Sequence, residues 1–124
     1  MPTSPKCEVE CDGPRNLIRL RYRGHLAAAE MKEYAQRVRS VLPQLRKGFT
    51  VLTDLSGLDS MELDCAPELT QMMDKFRAMG VGTVVRIVPD PSKDIGFNIL
   101  SVVHYRRGVR VVTCQNAEEA ERAL

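Results

Sequence analysis

The residues best suited to chemistry are concentrated in one stretch, TDLSGLDSMELDCAPEL, which runs from Thr53 to Leu69. It holds two serines, a cysteine and several carboxylates, and it joins an apolar, β-branched segment to a helical pattern. Side chains of these types could form a phosphorylation switch, a nucleophilic site or only a connection between two elements. Choosing among these three requires the elements that position the side chains.

Cys65 is the candidate nucleophile of this stretch. A cysteine at a helix N-terminus meets partial positive charge, which lowers the pKa of its thiol. The carboxylates of Asp59, Glu62 and Asp64 act in the opposite direction, and a base would have to approach in space, as His104 could. The residue types therefore favour a small, partly buried thiol packed under the helix, and an enzyme that uses Cys65 ranks third among the hypotheses. Asp64 is interpreted as the cap of that helix.

The remaining cysteines do not suggest a metal site. Cys7, Cys11 and Cys114 are scattered, no pair has C-x-x-C spacing, and the chain has only His25 and His104 as histidine ligands. Cys7 and Cys11 fall on one face of an extended strand, too far apart to form a disulfide. We therefore expect free, buried or half-buried thiols, and neither a metal nor a cofactor.

Length and charge limit the classes of function. The 124 residues, 44% apolar and 27% charged, suit one globular domain over residues 1–124, with residues 1–5 as a loose N-terminus. A formal charge of +2 is too small to predict nucleic-acid binding. The N-terminus lacks an apolar signal segment, and no later stretch approaches the roughly 20 apolar residues that cross a bilayer. A cytoplasmic protein without membrane insertion is expected, and whether it forms a homodimer is left open.

Hydrophobic periodicity predicts the elements around the stretch. KCEVEC, the turn signal DGP and the alternating LIRLRYRG predict a β-hairpin, and Arg19, Arg21 and Arg23 are assigned to the solvated face of an edge hairpin. Two amphipathic helices are predicted next, one ending near Pro43 and one at Gly80. Their apolar stripes are Met31, Tyr34, Ala35, Val38, Val41, Leu42 and Leu45, and then Leu69, Met72, Met73 and Phe76.

Three further strands are predicted, at FTVLTDL (residues 49–55), at VGTVVRIV (81–88) and at residues 109–114. A third helix is predicted between the last two, starting at Ser92 or Asp94 and ending before Gly108. NAEEAERAL, whose Asn116 and Glu119 resemble a capping box, predicts a fourth helix. The order β-β-α-β-α-β-α-β-α predicts an α/β fold with a mostly parallel, mixed five-stranded sheet and four helices.

This order of elements, VLTDLSGLDSMELDCAPELTQMM at a strand-to-helix turn and GVGTVVRIV in the next strand, together resemble the STAS domain of sulfate-transporter tails and anti-sigma-factor antagonists. The nearest match is the SpoIIAA-like group, and it covers essentially the whole chain. Its specific part is Asp54-Leu55-Ser56-Gly57 at a strand end, with an acid shortly before the next helix. The resemblance implies a non-enzymatic regulatory domain that acts by binding a protein partner.

One property of the antagonists does not carry over to this chain. In the antagonists, the helix after that strand begins with Asp and then a serine that a partner kinase phosphorylates, which abolishes docking. Here Asp64 corresponds to the acid, but Cys65 follows it, and the stretch after Asp54 is longer than in the usual motif. We therefore predict a STAS-like docking module without the phosphorylatable serine. Ser56 and Ser60 are interpreted as turn residues.

The predicted interaction surface is a rim formed by residues 56–66 and 89–98, where two connections leave the C-terminal ends of parallel strands. The acids of this rim oppose an anion and favour a protein partner or a neutral ligand. The partner-binding residues are Asp54, Ser56, Asp59, Ser60, Asp64, Cys65, Asp90, Ser92 and Asp94.

The alternative function is that of a carrier for a small apolar, lipid-like molecule. The SpoIIAA-like group is similar in topology to lipid-transfer domains, and the predicted core is rich in Leu, Val and Met. A cavity lined by Met72, Phe76, Phe97 and Leu100 would favour this function over docking.

Overall fold

The computed structural model of the chain describes residues 6–88 and 109–124. These residues contain one sheet of five strands in the order β1-β2-β3-β4-β5. β1 and β2 are antiparallel, and the other three pairings are parallel, which confirms the prediction of a mostly parallel, mixed α/β sheet. The strands are β1 (Cys7–Asp12), β2 (Leu17–Leu26), β3 (Thr50–Met61), β4 (Thr83–Ile87) and β5 (Arg110–Cys114).

The described residues form three α-helices, α1 (Ala28–Val41), α2 (Ala66–Ala78) and α3 (Ala117–Ala123), and two short 3-10 turns at Leu42–Gln44 and Leu63–Cys65. The element order along these residues is β-β-α-β-α-β-β-α, which differs from the predicted order with four helices. The additional predicted helix, between Ser92 and Gly108, lies outside the described residues.

The predicted apolar stripes account for where the first two helices pack. The buried residues of α1 are Met31, Tyr34, Ala35 and Val38, and those of α2 are Leu69, Met72, Met73 and Phe76. A 3-10 turn containing Pro43 follows α1, since proline cannot donate the next helical hydrogen bond. Gly80 follows α2 with φ of +88°, a conformation that favours glycine at a helix end.

The helices cover opposite faces of the sheet. The inward side chains of α1 and α2 share one core with Ile18, Leu20 and Val51. Ala120 of α3 packs on the other face, against Leu52 and other strand residues. Aromatic rings join helix to sheet in the larger core, with centroids 5.3 Å apart for Tyr22 and Tyr34 and 6.0 Å apart for Phe49 and Phe76. Successive side chains of a strand point to opposite faces of the sheet, so neighbouring strand residues lie in different cores.

The arginines of β2 lie on the α3 side of the sheet, among carboxylates. Arg19 Nη1 is 2.8 Å from Glu121 Oε1, Arg21 Nε is 3.3 Å from Asp54 Oδ2, and Arg23 Nη1 is 3.2 Å from an oxygen of Glu8. β2 lies between β1 and β3, so only β1 of this hairpin is an edge strand. The hairpin therefore lies at the edge of the sheet, as predicted, although the arginines are on its inner strand and their charges are locally balanced.

The four cysteines are free thiols, as predicted, with Cys7, Cys65 and Cys114 buried and Cys11 half-buried. Across residues 6–88 and 109–124, no group of three or more His, Cys, Asp or Glu side chains is placed to hold a metal ion. No helix in this part of the chain is long and apolar enough to span a bilayer.

Candidate functional site

The stretch that the sequence pattern assigned to a turn is largely strand. β3 was predicted to end at Leu55, but it continues to Met61. Its last residues pair with residues 23–26 of β2, beyond Ile87, where β4 ends. Leu58 is only 4% exposed and belongs to the main core. Burial of this apolar side chain stabilises the extension of the strand. The prediction of a loop from Ser56 onward was therefore wrong.

Asp54 shapes the first irregularity of this extended strand. Its Oδ1 accepts hydrogen bonds from the Ser56 backbone N–H at 2.9 Å and from the Ser56 hydroxyl at 2.5 Å. Arg21 pairs with Asp54 and Arg23 with Gly57, so β3 carries one more residue than β2 over this interval. The carboxylate thus satisfies the donors of the extra residue, as a side chain does in an Asx turn. Asp54 is therefore mainly structural, with its side chain 17% exposed.

A second irregularity exposes Asp59 and Ser60. Gly24 pairs with Leu58 and His25 with Ser60, so β3 again holds one extra residue. The Ser60 hydroxyl lies 2.7 Å from His25 Nδ1 on the neighbouring strand. Sequence reasoning missed this pair because the two bulges set the register, and the alternation of residues alone does not predict them.

Glu62 and Cys65 tie the end of the stretch to the start of α1. The Glu62 backbone N–H donates to the Leu26 carbonyl at 2.9 Å, and Glu62 Oε1 accepts from the Ala28 N–H at 2.8 Å. The Cys65 thiol donates to the same Leu26 carbonyl at 3.6 Å. Glu30 Oε1 accepts from the Ala27 N–H at 3.0 Å. Two carboxylates therefore satisfy N–H groups that the first turn of α1 leaves without helical partners.

Cys65 does not reach the surface, although the sequence placed it on the rim. Its side chain is fully buried, and burial together with the charges of Glu62 and Asp64 raises the pKa of its thiol. Both facts disfavour a nucleophilic thiolate at neutral pH. His104, the proposed base, lies outside the described residues.

Asp64 does not cap α2, contrary to the prediction. Cys65 occupies the cap position, and its side chain makes no capping hydrogen bond to the helix. Asp64 lies in the 3-10 turn before the helix and is exposed, because that turn brings Cys65 to the interior instead. Pro67 does stand in the first turn of α2, as predicted.

Within residues 56–66, the described part of the predicted rim, the exposed surface is acidic and includes one large apolar side chain. Asp59, Ser60, Glu62 and Asp64 are exposed, and Leu63 is 92% exposed. Sequence reasoning missed Leu63 because a single leucine in a short segment has no periodicity to show which way it points. Asp90, Ser92 and Asp94 of the predicted rim lie outside the described residues.

The space beside the predicted carrier residues is small in the described part of the chain. Met72 and Phe76 line a cavity of about 30 Å³ between α2 and the sheet. A cavity of that volume holds about one or two water molecules and no lipid-like ligand. Phe97 and Leu100, the other two predicted lining residues, lie outside the described residues.

No family model and no curated protein matches the chain. Solved structures do. An uncharacterised protein of the DUF3478 family from Shewanella loihica PV-4, with a SpoIIAA-like fold, gives a TM-score of 0.71 at 14% identity over 95% of this chain and 91% of that one. The anti-sigma factor antagonist SpoIIAA in its unphosphorylated form gives 0.64 at 13% identity over 94% and 96%. The Bacillus cell fate determinant SpoIIAA in its phosphorylated form gives 0.65 at 14% identity over 95% and 99%.

Matches at 13% and 14% identity concern the fold and not an activity. Each match covers at least 94% of this chain and at least 91% of the other chain, so the fold is shared over nearly the whole length. The chain therefore has a SpoIIAA-like fold.

Proposed function

We propose that this chain is a non-enzymatic docking module and that the exposed side of residues 56–64 is part of its partner-binding surface. The observation that carries the proposal is a set of exposed carboxylates, Asp59, Glu62 and Asp64. The segment is held at Glu62, whose backbone N–H donates to the Leu26 carbonyl and whose carboxylate accepts from the Ala28 N–H. An exposed, mainly acidic surface on a segment that is tied to the start of α1 suits recognition of a protein with complementary charge.

The buried thiol supports docking over catalysis. Cys65 is the candidate nucleophile of the stretch, yet it has no exposure and its pKa is raised. The small cavity beside Met72 and Phe76 likewise supports docking over transport of an apolar ligand. The proposed module differs from the antagonists in its control, because a thiol replaces the serine that a kinase would modify.

Charge reversal on the rim tests this proposal. We expect Asp59→Lys with Asp64→Lys to weaken capture of the partner by at least about tenfold, since two surface charges change sign and the net charge there shifts by about four units. The partner is captured from cells of the organism that makes the protein and identified by mass spectrometry. Thermal unfolding of each variant is measured alongside, so that loss of capture is separated from loss of fold.

Glu10→Lys with Glu33→Lys is the matched control. It makes the same change of charge at exposed positions on β1 and α1, away from the rim, and we expect capture to persist. Arg19→Glu with Arg21→Glu tests the opposite assignment. If this arginine pair abolishes capture and the rim pair does not, the interface lies on the β2 face and the proposal is wrong.

A further inference from the structure

Leu63 is presented to solvent by the geometry of its own turn. It lies in the 3-10 turn Leu63–Cys65, and residues three apart in such a turn share one face. Glu62 and Cys65 are three apart, and both are bonded inward to the start of α1. Leu63 therefore points away from the core and is 92% exposed.

The sequence on both sides of Leu63 is acidic, although Arg21 of the neighbouring strand pairs with Asp54 at the start of the stretch. Residues 54–68 hold five carboxylates and no Lys or Arg, in a chain whose formal net charge is +2. Glu62 and Asp64 flank Leu63 in sequence and are exposed with it. His25, on the adjacent strand, faces Ser60 instead. An exposed apolar side chain flanked by carboxylates is complementary to an apolar pocket bordered by positive charges.

We propose that Leu63 is the apolar anchor of the docking surface and that its partner is a protein with an apolar pocket bordered by Lys and Arg. This inference rests on the proposed docking function and specifies the partner's chemistry. Burying an exposed leucine favours association, and a backbone already held by the bonds of Glu62 and Cys65 loses little freedom when it binds. The flanking carboxylates would meet the cations of the pocket border.

Two other surfaces could cover an exposed leucine, a second copy of the chain and a membrane, and the acidic neighbours of Leu63 disfavour both. In a two-fold symmetric dimer centred on Leu63 the same patch faces itself, so the carboxylates beside Leu63 would repel one another. An anionic membrane surface would be repelled in the same way. A cationic protein surface is the occupant that the charges favour.

A photo-crosslinking amino acid tests the inference when it replaces Leu63 in the whole protein, in cells of the organism that makes it. We expect crosslinks to another protein, at apolar residues that lie beside Lys or Arg in its sequence or structure. The same amino acid at position 124 is the matched control, because Leu124 is the other exposed large apolar residue among those described. Crosslinks from position 63 to a second copy of this chain or to lipid would overturn the inference.

Binding of the identified partner, purified, provides the quantitative test. We expect Leu63→Ser to weaken binding by about tenfold or more, Leu63→Met to retain it within about threefold, and Leu124→Ser to leave it unchanged. Equal binding by wild type and Leu63→Ser would overturn the anchor. If a crosslinker at Asp59 captures a partner and one at Leu63 does not, the anchor is wrong and docking stands. If neither captures a protein, both proposals fail.

Discussion

Cys65 immediately precedes α2, where a helix dipole would lower the pKa of a thiol, yet burial, Glu62 and Asp64 raise it. Burial is the largest of these contributions. The sequence already showed the carboxylates, and it favoured a packed thiol on that ground. It could not show that the side chain is fully enclosed, because enclosure depends on the strand extension and on Leu26.

This balance predicts slow chemistry at Cys65. At pH 7 a neutral alkylating agent should modify Cys65 more slowly than Cys11, which is half-buried. The reason is that alkylation requires both the thiolate and access to it. Alkylation rates are measured for each cysteine by mass spectrometry of peptides, on the folded protein. Modification of Cys65 as fast as that of an unfolded control would contradict the prediction.

Glu62 contributes to stability in a way that its sequence position does not reveal. Its carboxylate accepts the Ala28 N–H at the start of α1, which lies 34 residues earlier in the chain. Glu62→Ala should therefore lower the free energy of unfolding by about 1 kcal/mol, as removal of a helix cap does. Urea denaturation measures it, with Glu33→Ala on the exposed side of α1 as the control. Equal losses in the two variants would show that Glu62 has no capping role.

At the scale of the elements, hydrophobic periodicity was sufficient to predict a helix or strand where the apolar stripe is long. The stripe of α2, the hairpin and the Asn116 cap of α3, whose side chain accepts from the Glu119 N–H, are as predicted. The α1 stripe is confirmed from Met31 to Val38, whereas Leu42 and Leu45 lie beyond the end of the helix. β3 was predicted too short because its two bulges break the alternation after Leu55. A bulge changes which face the following residues occupy, so a period-2 pattern ends although the strand does not.

The extension of β3 predicts opposite behaviour for two nearby leucines. Leu58 is 4% exposed and Leu63 is 92% exposed, only five positions apart. Leu58→Ala should lower the free energy of unfolding by about 2–4 kcal/mol, because it leaves a cavity in the core. Leu63→Ala should change it by less than about 0.5 kcal/mol. Urea denaturation of both variants measures the two free energies of unfolding. Similar losses would contradict the burial of Leu58 and the exposure of Leu63.

For the whole molecule, α1 holds the edge strand β1 in place. Arg37 Nη2 donates to the Cys7 carbonyl at 3.0 Å, and the Tyr34 hydroxyl donates to the Glu8 carbonyl. The Cys7 side chain is buried in the core that α1 shares with the sheet. Ionisation of this thiol would place a charge inside that core. Global unfolding is therefore coupled to the protonation of Cys7.

Burial raises the pKa of Cys7 from 9.0 to about 11, despite the nearby charge of Arg37. A pKa that is higher in the folded state stabilises the fold at pH below 9 and loses that contribution as pH rises toward 11. The free energy of unfolding should therefore fall between about pH 9 and pH 11, by at most about 3 kcal/mol from this group. Urea denaturation at a series of pH values measures the slope. Cys7→Ala should flatten it, Cys11→Ala should largely preserve it, and parallel slopes for wild type and Cys7→Ala would contradict the coupling.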